Sequence, residues 1–177
     1  MKFFAGFVTA IIIMVVAAAL VAWTYDVAAS VPDTAIEFEV LHFIMRNSVQ
    51  MRAGTEERET WGEEDVRKGF KDYDEMCIVC HSAPGKERRP ISKGTRPQPP
   101  NLAEASKQWT NAQLFWIIKN GVKMTGMPAF GPTHSDEQIW NLVGFVRRLP
   151  QISPTDFRAM ESKFGSAGEH EEEGHHQ

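Results

Sequence analysis

Cys77 and Cys80 are the two cysteines of this 177-residue chain, and His81 follows them directly in the stretch Glu75-Met76-Cys77-Ile78-Val79-Cys80-His81. Thiols at that spacing can do three kinds of chemistry: reversible disulfide exchange, half of a zinc site, or covalent capture of a haem. A dithiol redox motif needs Cys-x-x-Cys at the start of a helix in a strand–helix–strand context, whereas this one follows a helical pattern in a region without strand alternation. A structural zinc site wants four ligands, typically with a second Cys or His pair at similar spacing. No further cysteine exists, and His134 stands alone. A Cys77–Cys80 disulfide would close a very small loop and contribute little. Cys-x-x-Cys-His is the attachment signature of c-type haem. Its spacing lets two thiols reach two vinyl groups while the adjacent imidazole of His81 meets the iron from one face.

An electron-transfer haem needs a ligand on the other face as well. A methionine thioether favours ferrous iron and raises the potential. Met124 and Met127 are the candidates, both in the stretch Gly-Val-Lys-Met-Thr-Gly-Met-Pro-Ala-Phe-Gly ending at Gly131. Methionines more often fill gaps in a core, but Gly126-Met127-Pro128 reads as a turn, a poor place for packing and a good one from which to aim a single sulfur. His134 and His42 are rivals that would give bis-imidazole ligation at a lower potential.

The elements that must position these groups are helical. Glu63–Met76 opens acidic and places Val66, Gly69, Phe70 and Tyr73 on one face. Thr110 to Gln113 reads as a capping box before an apolar run that Gly121 closes. Ser135 to Gln138 is a second box, preceding a stripe of Ile139, Leu142, Val143, Val146 and Leu149 that Pro150 stops. The stretch from Ser82 to Asn101, rich in Pro and Gly, reads as a long loop. The fold class is all-α with long irregular connections.

Phe3 to Trp23 carries no charge, long enough as a helix to span about 30 Å of hydrocarbon. Secretory signal cores are usually only ~7–15 residues, so the run reads as an uncleaved anchor, with Trp23 and Tyr25 as interfacial aromatics and Lys2 favouring a cytoplasmic N-terminus. Ala28-Ala29-Ser30 offers a cleavage site for the alternative, a removed signal. Either way the remainder is exported: the periplasmic side of a bacterial inner membrane if anchored, the soluble periplasm if cleaved. The formal net charge of −4 hides an asymmetry: residues 61–164 carry fifteen basic and twelve acidic side chains, while residues 165–177 carry four glutamates and neither Lys nor Arg. No stretch is cationic enough for a nucleic-acid footprint.

From Val66 to about Leu149 the chain resembles a class I, single-haem cytochrome c, membrane-anchored in the bacterial manner. Gly69 and Tyr73 stand where that family has its glycine and aromatic ahead of Cys-x-x-Cys-His, and Gly126–Gly131 is similar to its distal-methionine loop. Pro100-Asn101-Leu102 is similar to its Pro-x-Leu turn, and Phe145 stands at the aromatic position of its last helix. The resemblance implies a cytochrome c fold around one covalently attached haem c, with Cys77 and Cys80 as thioether anchors and His81 and Met127 as axial ligands. It implies that the Pro100 carbonyl orients His81 and that the last helix packs across Gly69. The loop between Ser82 and Pro99 is longer and more basic than in compact members.

The resulting organisation is residues 1–30 as membrane anchor or signal, 31–62 as juxtamembrane spacer, 63–152 as cytochrome c domain, 153–164 as C-terminal extension and 165–177 as a disordered acidic, His-rich tail. The function implied is electron transfer by one haem c cycling between Fe(III) and Fe(II) among membrane respiratory components. The chain would be a carrier rather than an enzyme, with no small-molecule substrate. The alternative is a dedicated haem c subunit of a membrane-bound dehydrogenase or terminal reductase; a haem enzyme or gas sensor would need an open iron position. Trp109, Phe115 and Trp116 are expected either in the apolar haem shell or in the core. Lys86, Arg88, Arg89, Lys93 and Arg96 crowd the loop after His81, either an ordinary solvated face or a dock for an acidic redox partner.

Overall fold

A computed structural model describes residues 2–165. Helices make up all its regular structure, with no strand among the described residues. Residues 2–32 and the residues from Asp33 onward form two compact units. The acidic, His-rich tail, apart from Gly165, lies outside the described residues.

In the first unit, α1 (Lys2–Thr24) holds a 22-residue segment, Phe3–Thr24, long and apolar enough to cross a membrane; at 1.5 Å per residue it measures ~33 Å. Its hydroxyls are satisfied within the helix: Thr9 and Thr24 donate to the carbonyls of Ala5 and Leu20 one turn back, as a membrane span would require.

In the second unit, side-chain caps fix most helix starts. α2 (Ala35–Arg52) opens on a reciprocal box between Thr34 and Glu37. In α3 (Glu63–Asp72) Asp65 accepts from the Gly62 N–H, and Glu63, Glu64 and Asp65 complement the positive helix end. α7 (Asn111–Asn120) and α8 (Asp136–Arg148) start at the boxes formed by Thr110 with Gln113 and Ser135 with Gln138. α9 (Pro154–Phe164) starts with Ser153 as cap and Pro154 in the first turn.

The core is the crossing of α3 and α8. A Cβ built on Gly69 would lie 2.0 Å from the carbonyl oxygen of Asn141, so the two backbones touch and only glycine fits between them. Around that contact Phe70 meets Phe145 and Phe157 edge-on at 5.5 and 5.6 Å, and Tyr73 meets Phe145 at 5.0 Å. Aromatic pairs of this kind add ~0.5–1.5 kcal/mol each beyond area burial. Phe157 belongs to α9, so the extension at 153–164 is a helix that seals the far side of α3. On α8 every residue from Ile139 to Val146 is buried, not one stripe alone. The second face is covered by Trp61, whose ring lies where a Cβ of Gly144 would project and whose Nε1 donates to the Trp140 carbonyl at 2.7 Å.

The segment expected as a spacer, 31–62, makes specific contacts with the helical domain. Val49 of α2 is fully buried. Arg46 bonds to Gln108 and lies over the Trp109 ring at 5.4 Å. Arg58 pairs with Asp65 and Glu137 at 3.0 Å each, while its carbonyl accepts from Asn111.

α3 does not stop at Asp72. It runs through one π-helical turn, Tyr73–Cys77, into the helical turn α4 (Ile78–His81), which ends at Ser82 with φ +64°. Single π turns of this kind are frequent at functional sites. The Tyr73 hydroxyl donates to the Ser82 carbonyl at 2.6 Å and so closes the turn back on itself. Tyr73→Phe keeps the ring packing and removes this bond, so it should cost about 1–2 kcal/mol; a thermal melt unchanged from wild type would show that the bond contributes nothing.

Candidate functional site

The end of this continuous helix delivers Cys77, Cys80 and His81 to the wall of one apolar cavity of about 460 Å³, within the ~300–1,000 Å³ common for small-molecule and cofactor sites. The same cavity is lined by Pro100, Met127, Trp109 and Met76, by Leu114, Ile117 and Ile118 of α7, by Leu142 and Val146 of α8, and by Met45 of α2. Residues far apart in sequence therefore converge on one apolar space. Its wall at Trp109 is tied down by Arg147, which donates to Asn111 Oδ1 and to the carbonyls of Ser106 and Trp109.

The backbone around the cysteines is held by two buried or half-buried serines. Ser92, on the short helix α5 (Pro90–Lys93) and without solvent exposure, donates to the Cys80 carbonyl at 2.7 Å. Ser82 Oγ donates to the Lys86 carbonyl at 2.6 Å. Both cysteines are free thiols. Burial, with smaller contributions from Asp72 and Cys80, pushes the Cys77 thiol up to about 12. A thiol so held stays protonated at neutral pH, the reverse of the low-pKa thiolate that disulfide exchange uses. Among the described residues no group of three or more His, Cys, Asp and Glu is placed to hold a metal ion, so the cysteines find no further protein ligands for a zinc site.

His81 Nδ1 lies 3.0 Å from the Pro100 carbonyl oxygen, just before α6 (Leu102–Ala105). A carbonyl only accepts, so Nδ1 carries the proton and Nε2 keeps its lone pair. Burial lowers the His81 pKa; the Pro100 bond works against that shift and the charge of Arg88 adds to it. The imidazole is thus held neutral, the form that coordinates a metal. Arg88 is itself fixed on the Pro99 carbonyl.

Met127 is set by the turn that follows α7. Gly121 has φ +65°, and a Cβ there would lie 2.6 Å from the Pro128 carbonyl carbon. Val122 N donates to the Met127 carbonyl at 3.3 Å, and Met127 N donates to Thr125 Oγ1 at 3.1 Å. The loop's geometry is therefore built from backbone and threonine contacts, independently of the methionine side chain. Met124, at φ +62°, is 83% exposed, and neither it, His42 nor His134 lines the cavity.

Of the expected aromatic shell, Trp109 lines the cavity, whereas Phe115 and Trp116 do not; Phe115 stacks on Trp140 at 4.5 Å. Sequence reasoning missed Met45 and Met76. Met76 closes the helical run read from Glu63, and it stands three residues beyond Tyr73, where the apolar face continued by one step would have found it. Met45 carried no signal, because α2 is apolar on more than one face. The basic loop is less free than its composition implies. Lys86 pairs with Glu161 of α9 and Arg88 is bound internally, while Arg89 and Lys93 stay exposed.

The residues present fit a covalently held haem. Two thiols three residues apart, a neutral imidazole with its tautomer fixed, and a thioether share one apolar cavity of cofactor size. Residues 64–146 match the family model described as cytochrome C oxidase, cbb3-type, subunit III. The matched segment, just under half the chain, runs from α3 into α8 and contains Cys77, Cys80, His81, Pro100 and Met127; α1, α2 and α9 lie outside it. No curated protein matches the chain.

Proposed function

We propose that this chain is a haem c subunit of a membrane-bound terminal oxidoreductase and passes electrons to or from its partner subunits on the periplasmic side. In this reading Cys77 and Cys80 form the thioethers, His81 and Met127 are the axial ligands, and the Pro100 carbonyl orients His81. The one Cys-x-x-Cys-His in this sequence supports one covalent haem in this reading. When bound, the haem supplies a one-electron Fe(III)/Fe(II) couple. The chain's own residues do the rest. Burial keeps His81 unprotonated while the Pro100 bond fixes its tautomer, the apolar walls exclude water, and α1 anchors the domain to its membrane.

The observation that carries this reading is the single cavity in which Cys77, Cys80, His81, Pro100 and Met127 meet, inside the segment similar to an oxidase subunit. That similarity favours a subunit over the freely acting tethered carrier expected from the sequence. Both readings make the chain an electron carrier and leave catalysis to another protein. Solubilisation of native membranes in mild detergent distinguishes them. A subunit should co-purify in fixed stoichiometry with larger integral membrane oxidoreductase subunits. A haem protein that elutes alone and monomeric would return the account to the free carrier.

A further inference from the structure

The first three turns of α2 carry an outward apolar stripe that is solvent-exposed. Ile36, Val40, Phe43 and Ile44 stand at i, i+4, i+7 and i+8 and are 77%, 51%, 65% and 55% exposed. That spacing puts them on one helix face. The other face of the same helix places Met45 at the cavity and Val49 wholly in the core. α2 is thus apolar on two sides, and only one of them is seated on the domain.

We propose that the stripe rests on the lipid surface, so that α2 lies in the headgroup region and carries the domain on its opposite face. Three observations choose lipid over other occupants. Ile36 follows the last residue of the candidate span, Thr24, by only twelve positions; even a fully extended linker reaches no more than ~40 Å, so the stripe cannot leave the neighbourhood of the bilayer. No Lys or Arg occurs between Phe3 and Met45, so the contact is apolar and suits neutral lipid, without the basic rim that anionic headgroups attract. Finally, Asn47 and Gln50 interrupt the stripe between Ile44 and the exposed Met51, which would break the continuous apolar seam that a helix from a second copy needs.

The seat itself does not depend on the haem reading, but its consequence does. A helix about 10–12 Å across would hold the cavity wall at Met45 roughly one helix diameter above the lipid. The domain would then present a fixed side to integral membrane partners instead of swinging on a tether.

The test uses the full chain in phosphatidylcholine nanodiscs. Ile36→Cys, Val40→Cys, Phe43→Cys and Ile44→Cys, each made singly at an exposed position, are spin-labelled after haem attachment has consumed Cys77 and Cys80. Glu104→Cys serves as the aqueous reference. Collisions with oxygen should exceed those with a water-soluble nickel chelate at all four stripe positions, and the order should reverse at Glu104→Cys. Adding anionic lipid should not deepen the labels. Nickel-favoured collisions along the stripe would overturn the proposal, as would dipolar broadening between labels, the sign of a second copy. The parent chain is labelled in parallel: nitroxide on Cys77 or Cys80 would report failure of the haem reading, separately from the answer at the stripe.

Discussion

Met127→Ala is expected to convert a low-spin haem protein into one with an open, high-spin iron that binds carbon monoxide. The midpoint potential should fall by on the order of 0.1 V or more, within the ~0.8 V over which axial ligands set haem potentials. The expectation rests on the loop. Its turn is held by the left-handed Gly121, by Val122 N on the Met127 carbonyl and by Thr125 Oγ1, so deleting the thioether should leave the backbone where it is. Met124→Ala, only three residues away, should change neither spin state nor potential, because that side chain is 83% exposed and does not line the cavity. The paired variants are compared by absorption spectrum and redox titration. An open haem in Met124→Ala with an unchanged Met127→Ala would reverse the ligand assignment.

The second large effect is expected at Gly69. Alanine there gains up to ~1 kcal/mol of helix propensity, but its Cβ would sit 2.0 Å from the Asn141 carbonyl oxygen and 2.5 Å from its carbon. Neither atom can rotate away, so α3 and α8 must separate along their whole contact. Overpacking of this kind costs ~1–3 kcal/mol, occasionally more, and a backbone clash belongs at the upper end. A net loss of about 2 kcal/mol would lower the melting temperature by ~4–8 °C at ~2–4 °C per kcal/mol for a domain of this size class. Gly54→Ala is the control, since the nearest atom to its Cβ lies 3.9 Å away. If Gly69→Ala melts with Gly54→Ala, the two helices do not cross as closely as described.

Much of this was legible in the sequence, for identifiable physical reasons. Capping boxes at Thr110 and Ser135 involve residues three apart, so α7 and α8 could be placed without tertiary knowledge. The Cys-x-x-Cys-His motif is likewise local. What sequence did not reveal depends on neighbours distant in the chain. The buried second face of α8 is covered by Trp61, and nothing in residues 136–148 alone encodes that. The π turn at Tyr73–Cys77 is a change of backbone pairing and leaves no mark on side-chain spacing. In α9 three apolar residues, Phe157, Met160 and Phe164, are too few to stand out, though Ser153-Pro154-Thr155-Asp156 carried a start signal. The basic loop is less free than its composition implies: three of its five cations, Lys86, Arg88 and Arg96, are hydrogen-bonded within the fold. Ser92, polar and unremarkable in sequence, is fully buried because the Cys80 carbonyl needs its hydroxyl.

The most direct test of the central claim is the intact mass of the exported chain after acid–acetone extraction, with its thiols challenged by an alkylating reagent. The account predicts one haem mass that resists extraction and two cysteines that take no alkyl group, with the haem mass lost in Cys77→Ala/Cys80→Ala. A chain of unmodified mass that takes up two alkyl groups, after export by a host competent to attach haem c, would contradict it.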